Sequence, residues 1–213
     1  MALAARAGTA QVRTGAQGYT PAPMEADDSD EALMLRYAGG DAAAFDALYA
    51  RHRGGVFRYL TRHLGAQRAL AEELFQDIWL NLIGARAGYK PTARFTTWLY
   101  TIAHNRLMDH YRRLRPVDSL TQTDDDGEQL LIEPPAPRTA QPEHIVAARD
   151  EARRLLRLLD ALPAAQREAF LLHEEGGLSV DEIAQVTASD REAIKSRLRY
   201  ALAKLRRGME DAS

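Results

Sequence analysis

Between Arg191 and Arg207 the chain carries seven cations, Arg191, Lys195, Arg197, Arg199, Lys204, Arg206 and Arg207, against the single acid Glu192. The same stretch sets Ile194, Leu198, Ala201, Leu202 and Leu205 at offsets of four, seven, eight and eleven, the stripe of an amphipathic helix. Burying that stripe turns Glu192, Ala193, Ser196, Arg199 and Tyr200 outward and leaves Lys195 and Arg197 on the flanks. Ammonium and guanidinium groups so placed neutralise phosphates, and a planar guanidinium also reads base edges, for which Arg199 is the best candidate. Upstream, Leu178 to Ala184 opens a helix with Ser179 as N-cap and Glu182 three residues on, the reciprocal pair of a capping box. A turn is expected at Thr187 to Asp190. Two short helices joined by a tight turn, the second basic, make a helix-turn-helix. A basic amphipathic helix by itself could equally be a solvated surface or dock on a membrane; the capped partner helix and the turn favour DNA.

A second element mixes aromatic and basic groups. The spacing predicts a helix from about Thr96 to Leu114, with Trp98, Leu99, Ile102 and Ala103 inward and Pro116 beyond its end. Its other positions hold Asn105, Arg106, Asp109, Arg112 and Arg113 among Tyr100 and Tyr111. A short loop with Gly88, Lys90 and Pro91 precedes it. Before that, Leu70, Leu74, Ile78 and Leu82 lie four apart in a helix from about Arg68 to Ile83, which leaves Glu72, Glu73, Gln76, Asp77 and Asn81 to solvent or a partner. Asp41 is placed to cap a still earlier helix with Phe45, Leu48, Tyr49, Val56 and Tyr59 as its apolar positions.

The elements that must position these residues fall into two blocks. No alternating run rich in valine, isoleucine or threonine marks a strand, so the fold class is all-α. The stretch 116–143 is acidic, with Asp124, Asp125 and Asp126 in a row, and contains Pro134, Pro135, Pro137 and Pro142. Proline and like charge disfavour helix and keep a chain extended, so this segment reads as a flexible acidic linker. The expected organisation is a disordered extension over 1–27, a helical domain over 28–115, the linker over 116–143 and a second small helical domain over 144–209. That second domain opens with an amphipathic helix from roughly Pro142 to Leu162, striped by Leu155, Leu158, Leu159 and Leu162, and Pro163 starts the next element.

Bulk composition narrows the function classes. Of 213 residues, 46% are hydrophobic and 27% charged, and no apolar run approaches the ~20 residues that cross a bilayer, so no membrane insertion is expected. With no cysteine there is no disulfide, thiol nucleophile or thiolate metal site, and a cytoplasmic location is the default. A net charge of −2 is compatible with DNA binding because a footprint is local while the total is a sum.

The string Arg94-Phe95-Thr96-Thr97-Trp98-Leu99-Tyr100-Thr101-Ile102-Ala103-His104-Asn105-Arg106-Leu107-Met108-Asp109-His110-Tyr111-Arg112-Arg113 resembles the promoter-melting segment of extracytoplasmic-function (ECF) sigma factors of the sigma-70 family. Gly40 to Tyr49 and Ala71 to Trp79 resemble that family's opening and polymerase-docking segments, and Leu162 to Phe170 with Ile194 to Arg197 its second DNA-binding domain. The resemblance implies sigma domains 2 and 4, with bacterial core RNA polymerase and promoter DNA as partners and an anti-sigma protein as a further candidate. It assigns Glu73, Gln76 and Asp77 to polymerase docking and Tyr89, Lys90, Arg94, Asn105, Asp109 and Arg112 to the −10 element. The upstream −35 element falls to Arg191, Lys195, Ser196, Arg197, Arg199 and Tyr200. Opening the duplex means extruding a base, a cost that aromatic stacking and hydrogen bonds to the freed edge can return. Trp98, spaced with Leu99 and Ile102, is assigned to the core rather than to stacking. Two positions depart from the family pattern: Ala188 stands where the turn usually has glycine, which implies a slightly different or a strained turn, and Ala193 where threonine is common.

Two rival readings compete. An enzyme would need a constellation such as His104 with Asp109 or the pair Glu174-Glu175, but there is no phosphate-cradling glycine loop and no metal-ligand spacing, so no catalytic residue, metal or cofactor is expected. A helix-turn-helix regulator acting without replacing sigma would bind a duplex operator tightly on its own, whereas a sigma factor gains function only on core polymerase.

Overall fold

The structure, a computed structural model, describes residues 29–114 and 142–210. The extension over 1–27 and all but the last two residues of the expected linker lie outside the described residues. Within them are eight α-helices and no strand: α1 (Asp30–Ala38), α2 (Ala42–Leu64), α3 (Arg68–Ala85), α4 (Phe95–Leu114), α5 (Pro142–Asp160), α6 (Ala164–Gly176), α7 (Val180–Thr187) and α8 (Arg191–Glu210). A short 3-10 turn, Arg86–Gly88, follows α3.

Local chemistry accounts for most boundaries. The Asp41 carboxylate accepts from the backbone N–H of Ala43 and Ala44 at the start of α2, and Ser29 accepts from Ala32 at the start of α1. α4 is capped from a distance: the Phe95 N–H donates to Glu31 Oε1 of α1 at 2.6 Å, where a carboxylate meets the positive end of the helix dipole.

The first four helices pack α1 on α2, α2 on α3 and α3 on α4, while α5, α6 and α7 all rest on α8. The two halves also pack on each other, α2 against α6 and α4 against α7. One buried apolar cluster runs through both, including Leu48, Tyr59, Leu60, Ile78, Leu99 and Tyr100 from the first half and Leu171, Leu172, Ile183 and Ile194 from the second. A smaller cluster of Leu159, Leu162, Ala201 and Leu205 joins α5 to α8. Each fully buried leucine or isoleucine here contributes about 1.5–3 kcal/mol.

Two expectations need correction. Leu202 is 43% exposed and does not join the α8 stripe, although Ala201 and Leu205 beside it are buried. Tyr100 lies in the core at 2% exposure instead of on the basic face. Trp98 is half-buried and packs on the core, its ring against those of Phe95 and Tyr89, the latter with centroids 4.9 Å apart.

Candidate nucleic-acid interface

The helix-turn-helix is built as its residue types require. Ser179 Oγ accepts from the Glu182 N–H at 3.4 Å while the Ser179 N–H donates to Glu182 Oε2 at 2.8 Å, closing the capping box of α7. The turn places Ala188 in the left-handed region at φ 49°, where its Cβ is crowded, and the Ser189 N–H reaches back to the Ala184 carbonyl. Asp190 Oδ1 then accepts from the N–H of Glu192 at 2.7 Å and starts α8.

Burial of Ile194, Leu198, Ala201 and Leu205 fixes the outward face of α8. Arg191, Lys195, Arg199 and Tyr200 are exposed; Ser196 and Arg197 are half-buried. Arg191 pairs with Asp181 at 2.7 Å and Lys195 with Glu192 at 2.8 Å, both in solvent, where such pairs are worth under about 1 kcal/mol and yield readily to phosphates. Arg197 is held differently: its guanidinium donates to Ser189 Oγ at 3.1 Å, which ties it to the turn. Arg199 lies over the Tyr200 ring, 5.0 Å from its centroid, a cation–π contact on the exposed face of α8.

In the first half the expected −10 residues divide. Tyr89, Lys90 and Thr92 line a shallow cleft with Gly84, Ala85, Gly88 and Trp98. An aromatic wall beside an ammonium group suits an unstacked base. The Tyr89 hydroxyl is buried without a hydrogen-bond partner, and burial, with Glu31 and Asp30 adding to it, pushes its pKa up to about 12. Asn105 and Arg112 are exposed further along α4, with Arg112 paired to Asp109 one turn back. Arg94, by contrast, is directed at the second half, its guanidinium 3.3 Å from the Gly177 carbonyl and 3.5 Å from Glu182. On α3, Glu73 and Gln76 are exposed and Asp77 half-buried, beside Leu80 at 64% exposure. An exposed leucine among acids is a feature of docking faces that the four-residue stripe did not point to.

Three glutamates of the second half reach into the first. Glu168, on α6, is buried: its Oε1 accepts from the Tyr59 hydroxyl at 2.8 Å and meets His104 Nδ1 at 2.8 Å, while Oε2 lies 2.8 Å from His63 Nε2. Burial pushes this carboxyl up, but hydrogen bonding and charge from His104 and His63 overcome it and hold it well below the usual carboxylate range. Glu175 receives Arg58 at 2.7 Å and Arg62 at 3.0 Å, and its backbone carbonyl accepts from the Tyr100 hydroxyl at 2.6 Å. Glu182 accepts from Thr97 Oγ1 at 2.7 Å while serving the capping box. His104 and Glu175 both make their contacts between the halves.

The chain is similar to known proteins in sequence and in fold. The family model for Sigma-70 region 2 matches residues 48–117, and that for Sigma-70, region 4 matches residues 152–205. The ECF RNA polymerase sigma factor SigK of Mycolicibacterium vanbaalenii is 32% identical over 93% of this chain and 97% of its own length. The RNA polymerase sigma factor CarQ of Myxococcus xanthus is 34% identical over 81% and 93%. Among solved structures, CnrH in complex with the cytosolic domain of CnrY superposes with a TM-score of 0.60 at 26% identity, covering 87% of this chain and all of that one. Two sigma-70 regions in order, a capped helix-turn-helix with a basic outer face and full-length likeness to named relatives agree: the chain belongs to the extracytoplasmic-function RNA polymerase sigma factors.

Proposed function

We propose that this sigma factor grips promoter DNA at two points, and that the observation carrying this reading is the face of α8, which exposes Arg191, Lys195, Arg199 and Tyr200 while Ile194 and Leu198 are buried. In this reading α8 enters the major groove of the −35 element. Arg199 reads a base edge, while Arg191, Lys195, Ser196, Arg197 and Tyr200 set the register on phosphates and sugar. Tyr89, Lys90 and Arg94, with Asn105, Asp109 and Arg112, take the opened −10 element, and the half-open Trp98 joins Tyr89 as a stacking wall. Glu73, Gln76 and Asp77 dock on core polymerase, with Leu80 supplying the apolar contact. Polymerase docking and −10 recognition belong to residues 28–115, and −35 recognition to 144–209. Catalysis belongs to the polymerase, the protein works in the cytoplasm, and a partner of the kind CnrY is to CnrH is proposed for it as well.

Run-off transcription on fragmented genomic DNA, with purified bacterial core polymerase in the presence and absence of the protein, tests the reading. Discrete new start sites sharing two upstream motifs are expected. Tight, specific duplex binding by the protein alone with no new starts would transfer the assignment to an ordinary helix-turn-helix regulator.

A further inference from the structure

Asn81 is a poor local choice for α3. It stands inside the helix between Leu80 and Leu82, where asparagine is less favourable than alanine because its short amide competes for the backbone. The amide is engaged at both ends. Its Nδ2 donates to the Asp77 carbonyl one turn back at 2.6 Å, and its Oδ1 accepts from Arg106 Nη2 of α4 at 2.7 Å. The first bond directs the second: with the nitrogen committed to the backbone of its own helix, the oxygen must face α4. Both side chains are half-buried, so the guanidinium is held in one place.

The group that holds Arg106 is an amide and not an acid. Arg58 and Arg62 face Glu175, Arg94 faces Glu182 and Arg112 faces Asp109, so those charges are balanced. Among the described residues no carboxylate pairs with Arg106, which keeps its full charge at a half-buried position. Its other nitrogens are not sealed off from solvent. A guanidinium carries its N–H donors in a planar fork, and one bond to Asn81 leaves the rest of the fork for a further acceptor. Phosphate oxygens match that fork and neutralise the charge.

Position supplies the ligand. Tyr89, Lys90 and Trp98 line the cleft at the start of α4, and Asn105 lies two helical turns, about 10 Å, beyond Trp98 on the same face. Arg106 follows Asn105 and is turned about 100° from it toward α3. A strand that places one base in the cleft and passes Asn105 runs along the border of α3 and α4, beside the Arg106 fork.

We propose that Arg106 is a further phosphate-binding residue of the −10 site and that Asn81, on the helix otherwise given to polymerase docking, is its positioning residue. The inference rests on the −10 reading of the cleft and of Asn105, whose assignments include neither residue. An aspartate at position 81 would hold the arginine and discharge it, whereas asparagine fixes its place and leaves the cation to the strand.

The test uses holoenzyme assembled from the full chain and core polymerase, bound to a promoter fragment mapped by run-off transcription, with either strand of the −10 element removed so that the other is single. Affinity is measured across chloride concentrations, since each phosphate neutralised on a single strand adds about 0.7 to the slope of log affinity against log salt. Arg106→Gln keeps an N–H for Asn81 Oδ1 and loses the charge. It should bind on the order of tenfold more weakly and lose about 0.7 of the slope, while Arg106→Lys keeps the slope. Asn81→Asp, which sets a carboxylate against the guanidinium, should lose slope as Arg106→Gln does, and Asn81→Ala should weaken binding with the slope in place. A fragment trimmed back to the −35 element should be bound equally by all five proteins. The proposal is overturned if Arg106→Gln keeps the wild-type slope, whatever its affinity, or if Asn81→Asp binds as the wild type does. Wild-type holoenzyme that binds neither single-stranded fragment better than the trimmed one would overturn the −10 reading itself, and this inference with it.

Discussion

Replacing Glu168 by alanine should separate the two halves without unfolding either. The carboxylate is 8% exposed and meets three partners at 2.8 Å, of which Tyr59 is fully buried and the His63 side chain is 5% exposed. The substitution strands all three. A buried donor without an acceptor costs about 1–3 kcal/mol, and removing one member of a buried ionic contact about 3–5 kcal/mol in total. Taking the latter as the sum, the equilibrium between closed and open forms should shift by between about a hundredfold and a few thousandfold. The loss falls on closure because Glu168 joins α6 to both α2 and α4, while the cores of the halves keep their own leucines. Urea titration followed by energy transfer between the halves and by fluorescence of Trp79 and Trp98 should show the first transition moving to lower urea and the second staying in place. Glu168→Gln, which retains an oxygen for the Tyr59 hydroxyl, should lose less. The pH dependence has a definite sign. Because the folded carboxyl is held well below its ordinary 4.5, its contribution is fully present above that value and is lost as pH falls further toward the depressed pKa. On the carboxyl side, the gap between wild type and Glu168→Ala should therefore narrow as pH falls below about 4.5. A gap under 1 kcal/mol at pH 7 would refute the assignment of closure energy to this site.

Ala188→Gly should stabilise the second half by about 1 kcal/mol, read as a higher denaturation midpoint of that half, because glycine removes the cost of φ 49° at the turn. Arg199→Ala is expected to weaken promoter binding by the holoenzyme by about 1–3 kcal/mol and to relax preference at one −35 position. Lys195→Ala should weaken all sequences alike and reduce the salt slope by about one, and footprinting across salt concentrations separates the two. Of the eight tyrosines, Tyr59, Tyr89, Tyr100 and Tyr111 are pushed up, each by burial first. Phenolate absorbance from these four should accordingly rise late, above pH 10, with Tyr89→Phe removing a component near 12. Their stabilisation is present below pH 10 and is lost as pH rises through the folded values.

What the linear chain settled by itself was local. Asp41 and Ser179 were recognisable as caps, and the α8 stripe and its cationic face as one helix, because capping bonds and helical periodicity span only three or four residues. The same locality explains the helix-turn-helix, down to the strain at Ala188. Family resemblance, carried by contiguous strings, was legible for the same reason. Tertiary structure decided the rest. Leu202 fits the stripe by spacing yet stays 43% exposed, and Tyr100 is buried although its position falls among the polar ones, because neighbouring helices, not period, choose what is covered. Glu31 capping Phe95 across 64 residues, and Glu168, Glu175 and Glu182 meeting the first half across 64 to 117, leave no mark in any window of sequence. A glutamate seven residues from the next reads as a solvated helix face until a second body is placed on it, and electrostatic and steric fit between two surfaces is a property of their three-dimensional arrangement alone.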